Sequence, residues 1–518
     1  MHKKSLFCFW IFLFFVSVFV LTSNGHYGGD GLENYLTAES IVLNGDFSIY
    51  DKPFGVSEMR YEKMGKAADL AEKIPPYGLG MALILIPFYL VGHIISFFLP
   101  SVGHDYITQF MVSLSNPVIL ALLALALFTL LRKLGYAIRT SFFSVLIYSF
   151  CTTNFIYARS GFSEPMIALL VVLAVLSIFT YSVKRNCMSI FLTAFFMGYA
   201  LFIKKNSVIL LPGFGLYFLY LLIQNRDISA RDRIWHIVCF AAPIVLSISA
   251  IMLQNKLLYG GILSTEFGDI SGMLAKVRMD GYPVKGLYYY LISSGKGFVI
   301  YNAAIIFGLF SIKDFFRRRK AYCVLVVVLL LSNLGFYSFI FVRGSLFSWG
   351  PRYLFPTLPL MALFAAEFMD RSSYFRRKLI IFFFAIFGFT IQLPALIMNF
   401  SKYLFFVKEK LHLPEYLVNF MPELSPIKGA WALLASLVSR GMSGVSANFL
   451  YNPDYKFVEP ISMSLDGYDT VDIWWFNIIR VNPNLNIYVY SAMILLIILG
   501  LLAAYKIYRP LKNNEYFE

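Results

Sequence analysis

The chain has 518 residues, of which 59% are hydrophobic and only 14% charged, where a soluble domain averages about 45–50% and about 25%. That balance excludes an ordinary water-soluble globule. The net charge of +15 does not indicate a nucleic-acid partner, because the basic residues sit in short clusters between apolar runs (Lys3-Lys4, Arg132-Lys133, Lys184-Arg185, Arg226 to Arg233, Arg317 to Lys320, Arg371 to Lys378 and Lys506 to Lys512), the distribution that cytoplasmic membrane loops produce.

Apolar runs close to the roughly 20 residues that cross a bilayer recur from end to end. They predict an all-α polytopic membrane protein with about twelve transmembrane helices, at 5–23, 106–131, 140–157, 163–183, 188–203, 206–224, 235–256, 298–312, 321–342, 353–369, 378–398 and 486–506. The first run is too long for a cleaved signal segment and reads as a retained helix. The stretch 79–99 is also apolar enough to span. With Lys3-Lys4 inside, counting it would put Arg317 to Lys320, Arg371 to Lys378 and the basic tail outside, whereas omitting it places all of them inside. It is therefore predicted to be a juxtamembrane or re-entrant helix on the outer side. The large outer segments are then 24–78, 257–297, 343–352 and 399–485. The domain reading is a transmembrane module over 1–400 with its first outer loop at 24–78, an extracytoplasmic region over 401–485, and a last span with a basic tail over 486–518. The five cysteines (8, 151, 187, 239, 323) lie in or beside apolar runs and read as packing residues.

The polar chemistry is concentrated in the outer segments. Gly25 to Asp51 holds Asp30, Glu33, Glu39, Asp46 and Asp51, in a protein with only 29 acidic residues. Helix-forming residues follow Asp30, which suits either an N-cap or a carboxylate aimed into a cavity; Glu33 shares its face. Further on come Pro75-Pro76-Tyr77-Gly78-Leu79, a rigid turn before an apolar helix, and Ser163-Glu164-Pro165, an acid at a helix start, where the helix dipole alone would favour it. Lys204-Lys205-Asn206, Gly295-Lys296-Gly297 and Gly350-Pro351-Arg352-Tyr353 put cations on the outer side, against the positive-inside trend. A carboxylate to take a proton from an attacking hydroxyl, with cations to neutralise a departing phosphate, is the inventory for transfer from a phosphate-bearing donor. Of the six histidines none shows metal-ligand spacing; His26, four residues before Asp30, stands out among them.

The order of these motifs, with Pro87-Phe88-Tyr89 and Gly-Pro-Arg-Tyr-Leu-Phe-Pro included, resembles the GT-C superfamily of polytopic glycosyltransferases, among them the protein O-mannosyltransferases and the lipid A aminoarabinose transferases. The resemblance runs through roughly residues 5–400. It implies a GT-C-like fold with juxtamembrane helices in the outer loops, a polyprenyl-phosphate-linked sugar as donor, and a glycan, lipid or protein acceptor. It also implies an inverting displacement at an active site on the extracytoplasmic side of a bacterial cytoplasmic membrane. Asp30 matches the family's general base. A second acid often adjoins it; here Gly31 takes that place and Glu33 is the nearest. Lys204 or Lys205, Arg352, Lys296 and Lys73, the basic residue nearest the double proline, would meet the donor phosphate. Glu164 would position the acceptor or a divalent cation, the one cofactor this resemblance admits. Two other classes compete: a transporter or flippase, which would show repeats or mid-membrane charges, and a polysaccharide polymerase or ligase with an Arg- and His-rich late loop. Neither pattern is evident in the sequence.

Overall fold

In a computed structural model the described residues of the protein are mostly helical. The structure describes residues 2–47, 49–50, 72–73, 77–224, 229–265, 268–269, 282–339, 347–371, 375–439, 471–481 and 483–513. Asp51, Pro75-Pro76, the whole 440–470 stretch with Arg440, and the side chain of Lys73 lie outside that description.

The first half of the chain forms α1 (His2–Leu21), α2 (Asp30–Leu43), α3 (Leu79–Phe98), α4 (His104–Ser113), α5 (Ser115–Lys133), α6 (Ile138–Cys151), α7 (Asn154–Tyr157), α8 (Glu164–Lys184), α9 (Cys187–Ile203), α10 (Leu211–Gln224) and α11 (Ala230–Tyr259). Among the described residues eight helices are long and apolar enough to cross a membrane, and shorter apolar helices lie at Ser5–Leu21, Ile138–Cys151, Cys187–Ile203 and Pro426–Ser439. The protein is an integral membrane protein. Its apolar surface is accordingly large: Leu246, Ile487 and Phe310 are each more than 70% exposed, as lipid-facing side chains are.

Several predicted spans are interrupted. The 140–157 run breaks between α6 and α7, and 298–312 divides into Phe298–Tyr301, Ala303–Ile306 and a 3-10 turn at Phe307–Ser311. The two breaks face each other: Thr153 donates from its backbone N–H (3.1 Å) and its hydroxyl (2.9 Å) to Asn302 Oδ1. Irregular backbone is tolerated at such depth only when buried against protein, and Asn302 is fully buried. The 353–369 run starts as a 3-10 helix, Arg352–Leu360, because Pro356 and Pro359 cannot donate within it. Only Met361–Asp370 is α-helical.

Contacts along the chain sort into two units, residues 1–24, 120–158 and 278–518 in the first and residues 25–119 and 159–277 in the second. In the first, two of the basic clusters gather on one buried carboxylate. Glu367 accepts from Arg319 at 2.9 Å and Tyr136 at 2.8 Å, with Arg318 and Arg371 each at 3.4 Å. Residues 398–433 carry their own small core of Met398, Tyr403, Phe406, Val407, Val418 and Leu433. In the second unit, α2 lies along α3 and runs in the same direction, since Tyr77 at the foot of α3 reaches Asp30 and Tyr89 reaches Glu39. Gly198 of α9 abuts α11, where a Cβ would stand 2.5 Å from Ser247 Oγ.

Two glycines in the first unit separate packing from propensity. A Cβ at Gly388 would lie 2.4 Å from the Cys151 carbonyl, whereas one at Gly335 meets nothing within 4 Å. We expect Gly388→Ala to destabilise by about 1–3 kcal/mol and Gly335→Ala to be neutral or stabilising by up to about 1 kcal/mol. Thermal unfolding in detergent would show it, and equal shifts would contradict the packing.

Candidate functional site

Helix α2 begins at Asp30 because Gly29 supplies a left-handed cap (φ 53°) that makes no side-chain bond. Asp30 is therefore the first helical residue and not the N-cap, one of the two roles its sequence context allowed. Its half-buried carboxylate accepts a 2.6 Å hydrogen bond from the Tyr77 hydroxyl. Glu33, one turn on, is 5% exposed.

Beside Asp30 stands Gly31, and the structure leaves no room there for a second acid. A Cβ on Gly31 would be 2.5 Å from Gly161 Cα, and one on Gly161 would be 2.6 Å from Gly31 Cα. Real Cβ atoms do not approach so closely, so the two backbones touch only because both residues are glycine. Around them, Asn116 Nδ2 donates to the carbonyls of Ser160 and Phe162, the latter at 3.0 Å. The Tyr27 hydroxyl accepts from the Asn116 N–H at 3.1 Å and lies 2.9 Å from Ser115 Oγ. Burial pushes the Tyr27 phenol up to about 12, so it stays neutral.

Three residues beyond Gly161, Glu164 opens α8 with 1% exposure and pairs with Lys204 Nζ at 2.5 Å. Lys204 follows the last residue of α9, and that end of α9 packs on the start of α3. A Cβ at Gly80 would stand 2.8 Å from Ile203 Cα, and one at Gly78 3.1 Å from the Phe202 carbonyl. Gln254 of α11 accepts from the Leu79 N–H at 3.1 Å, and Lys205 donates to the adjacent Asn255 at 3.1 Å. The contacts thus close on themselves: Asp30 to Tyr77, Gly78 and Gly80 to Phe202 and Ile203, Lys204 to Glu164, Gly161 to Gly31. Four stretches far apart in sequence meet within one unit.

The other two cationic motifs meet in the other unit. Lys296 is fully buried, with Nζ donating to the Ser348 carbonyl and to Ser348 Oγ at 3.0 Å. Gly295 and Gly297 allow this: a Cβ on either would stand 2.5 Å from Asn419 Cα or the Ser293 carbonyl. Gly350 takes φ +67° against the Tyr301 ring. Trp349 beside it donates to Gln392 at 2.9 Å, and its carbonyl accepts from Tyr157 at 3.0 Å. Arg352 begins the 3-10 helix at 8% exposure. Burial, and then the charge of Arg352, hold the Lys296 amine well below the usual lysine range.

Of the residues singled out from sequence, Asp30, Glu33, Glu164, Lys204 and Lys205 therefore share one unit, while Lys296 and Arg352 share the other. Lys73 pairs through its backbone with Ile49. Lys204 is engaged by Glu164, which makes the two a couple where the sequence suggested separate tasks. Sequence reasoning passed over Tyr77, Gly161, Asn116 and Ser348. Tyr77 stood inside a motif already in view; nothing in residue type or spacing marks the others.

No protein-family model matches the chain, and no curated protein matches it either. Among solved structures it is similar to that of ArnT from Cupriavidus metallidurans bound to undecaprenyl phosphate. The two share 13% identity over 98% of this chain and 78% of that one, with a TM-score of 0.47. A likeness at that level does not by itself establish a shared fold.

Two outcomes test the geometry. Gly161→Ala should destabilise the protein by about 1–3 kcal/mol and lower its activity, read by thermal unfolding and turnover; an unchanged variant would contradict the glycine contact. For Lys296, a depressed folded value means the folded state binds fewer protons than the unfolded one, so stability rises with pH. The rise runs from the depressed value up to the unfolded lysine value of about 10.4. Lys296→Met should remove that rise, and parallel pH–stability curves for variant and wild type would contradict it.

Proposed function

We propose that the protein is a GT-C-like membrane glycosyltransferase that moves a sugar from a polyprenyl-phosphate donor to an acceptor outside the membrane. The observation that carries this reading is the closed set of contacts joining Asp30, Tyr77, Lys204 and Glu164. Motifs whose sequence order resembled that superfamily lie in one unit, with Tyr77 on Asp30 and Lys204 on Glu164. Asp30 takes the proton from the acceptor hydroxyl as its oxygen bonds to the anomeric carbon. The bond from that carbon to the phosphate oxygen breaks on the opposite face, and polyprenyl phosphate leaves with inverted configuration at the sugar. Tyr77 orients the Asp30 carboxylate. The sequence resemblance assigns Arg352 and Lys296 to the donor phosphate, and an arriving anion would favour the protonated amine of Lys296. Lys205 is a further phosphate contact. Lys204 fixes Glu164, which faces the acceptor, and buried Glu33 backs the helix that carries Asp30.

The parallel run of α2 and α3 supports placing this chemistry outside the hydrocarbon layer. If α3 crossed the bilayer, it would draw Asp30, Glu33 and Glu39 along with it, each at a cost of a few kcal/mol. A juxtamembrane α3 leaves all three at the interface. It also keeps the Arg317 to Lys320 and Arg371 clusters inside.

The experiment is incubation of purified protein with a panel of polyprenyl-phosphate sugars, measuring release of polyprenyl phosphate with and without acceptors. At least one donor should turn over. Arg352→Ala should cost about 10²–10³-fold on donor use with a smaller effect on acceptor KM. Absence of turnover with every donor, or equal loss on both substrates, would count against the reading.

A further inference from the structure

Beyond Asp30, α2 carries a second constellation that the proposed transfer does not use. Glu39 is 5% exposed. Its Oε1 accepts from Tyr35 at 3.3 Å and from Tyr89 of α3 at 3.2 Å. At the start of α4, His104 faces Asp105 Oδ1 through Nδ1 at 3.2 Å and His93 Nδ1 through Nε2 at 2.8 Å. One donor atom each from Glu39, His104 and Asp105 lie within 4.8 Å of one another.

Packing, not charge, brings these groups together. A Cβ at Gly92 would stand 2.8 Å from Thr108 Cα, so the backbones of α3 and α4 touch beside His93. Thr108 Oγ1 in turn lies 2.9 Å from the Tyr35 hydroxyl, which ties α4 to α2. The edge of the His93 ring meets His104 at 5.1 Å between centroids. Three helices thus hold two carboxylates and an imidazole against one another by neutral contacts.

We propose that Glu39, His104 and Asp105 bind a transition-metal dication, with Zn2+ the best fit, His104 ligating through Nδ1 while its Nε2–H donates to His93. The donor set is one imidazole and two carboxylates, which suits Zn2+ better than the all-oxygen shells of Ca2+ or Mg2+. Zinc holds such atoms at about 2.0–2.2 Å, so modest rotations of these side chains complete the site. Three protein ligands leave a fourth position for water. His93 does what outer partners of ligating histidines do: it fixes the tautomer and the ring. His104 and Asp105 are about a third exposed, which gives the ion an entry path. Glu39 is nine residues past Asp30, about 13 Å along the helix, so the ion acts as a clasp that fixes α2 against α4 and does not act at the reacting atoms. The site stands whether or not the transferase reading does.

The test uses the full-length protein in detergent, stripped with a chelator and titrated with Co2+ followed by visible absorption, then with competing Zn2+. Wild type should take up one equivalent per chain and unfold at a higher temperature with Zn2+ than without. Glu39→Gln and His104→Gln should each weaken binding by at least about 100-fold and lose the thermal gain. His93→Ala should weaken it about 10–100-fold. Should His104→Gln fail to fold, the isosteric Glu39→Gln decides alone. Uptake below one equivalent in wild type, or wild-type affinity in Glu39→Gln, would overturn the proposal.

Discussion

The arrangement in the second unit depends on one close approach, the backbone of Gly31 against that of Gly161. Any side chain at either position would push the start of α2 away from the turn that leads into α8. With that gap opened, Asp30 would separate from the segment carrying Glu164, and the Lys204 pair would lose its place relative to Tyr77. Glycine is the residue that permits such contact, and it is costly elsewhere because of its backbone freedom. Here the surrounding bonds from Asn116 and Tyr27 hold both strands of chain in place. The same constraint leaves no room for a second acid beside Asp30.

Charge is handled differently in the two units. Glu164 is buried with a lysine partner at hydrogen-bond distance, and breaking a buried pair by removing one partner costs more than the pair contributes. Glu367 is buried with arginines from two separate basic clusters around it. Those clusters read from sequence as loop charges facing the cytoplasm, and part of their role is internal. Lys296 is buried against neutral serine groups beside another cation, an arrangement that disfavours its charged form. A lysine held in this way gains most when an anion arrives.

The helical membrane class was legible from composition alone, because no soluble core absorbs so many apolar residues. The helix following Asp30 was legible from its residue pattern, and so were the motifs holding Glu164, Lys204, Lys296 and Arg352. Less legible was where helices break. The run at 298–312 is apolar but for Asn302 and Ser311, and Asn302 turns its side chain to Thr153, a tertiary choice that local sequence does not announce. Partners were hidden for the same reason. Lys204 and Glu164 lie 40 residues apart, and no spacing rule joins them. His93 and His104 are 11 residues apart, a separation without helical meaning until the turn at Pro100–Val102 folds α4 back on α3.

The central claim is that this set of contacts presents Asp30 as the base for transfer from a lipid-phosphate sugar. The most direct measurement is the single-turnover rate of sugar transfer by Asp30→Asn, in protein shown by thermal unfolding to be as stable as wild type. The account predicts a loss of at least about 10²–10⁴-fold with donor binding retained. A rate within a few-fold of wild type would contradict it.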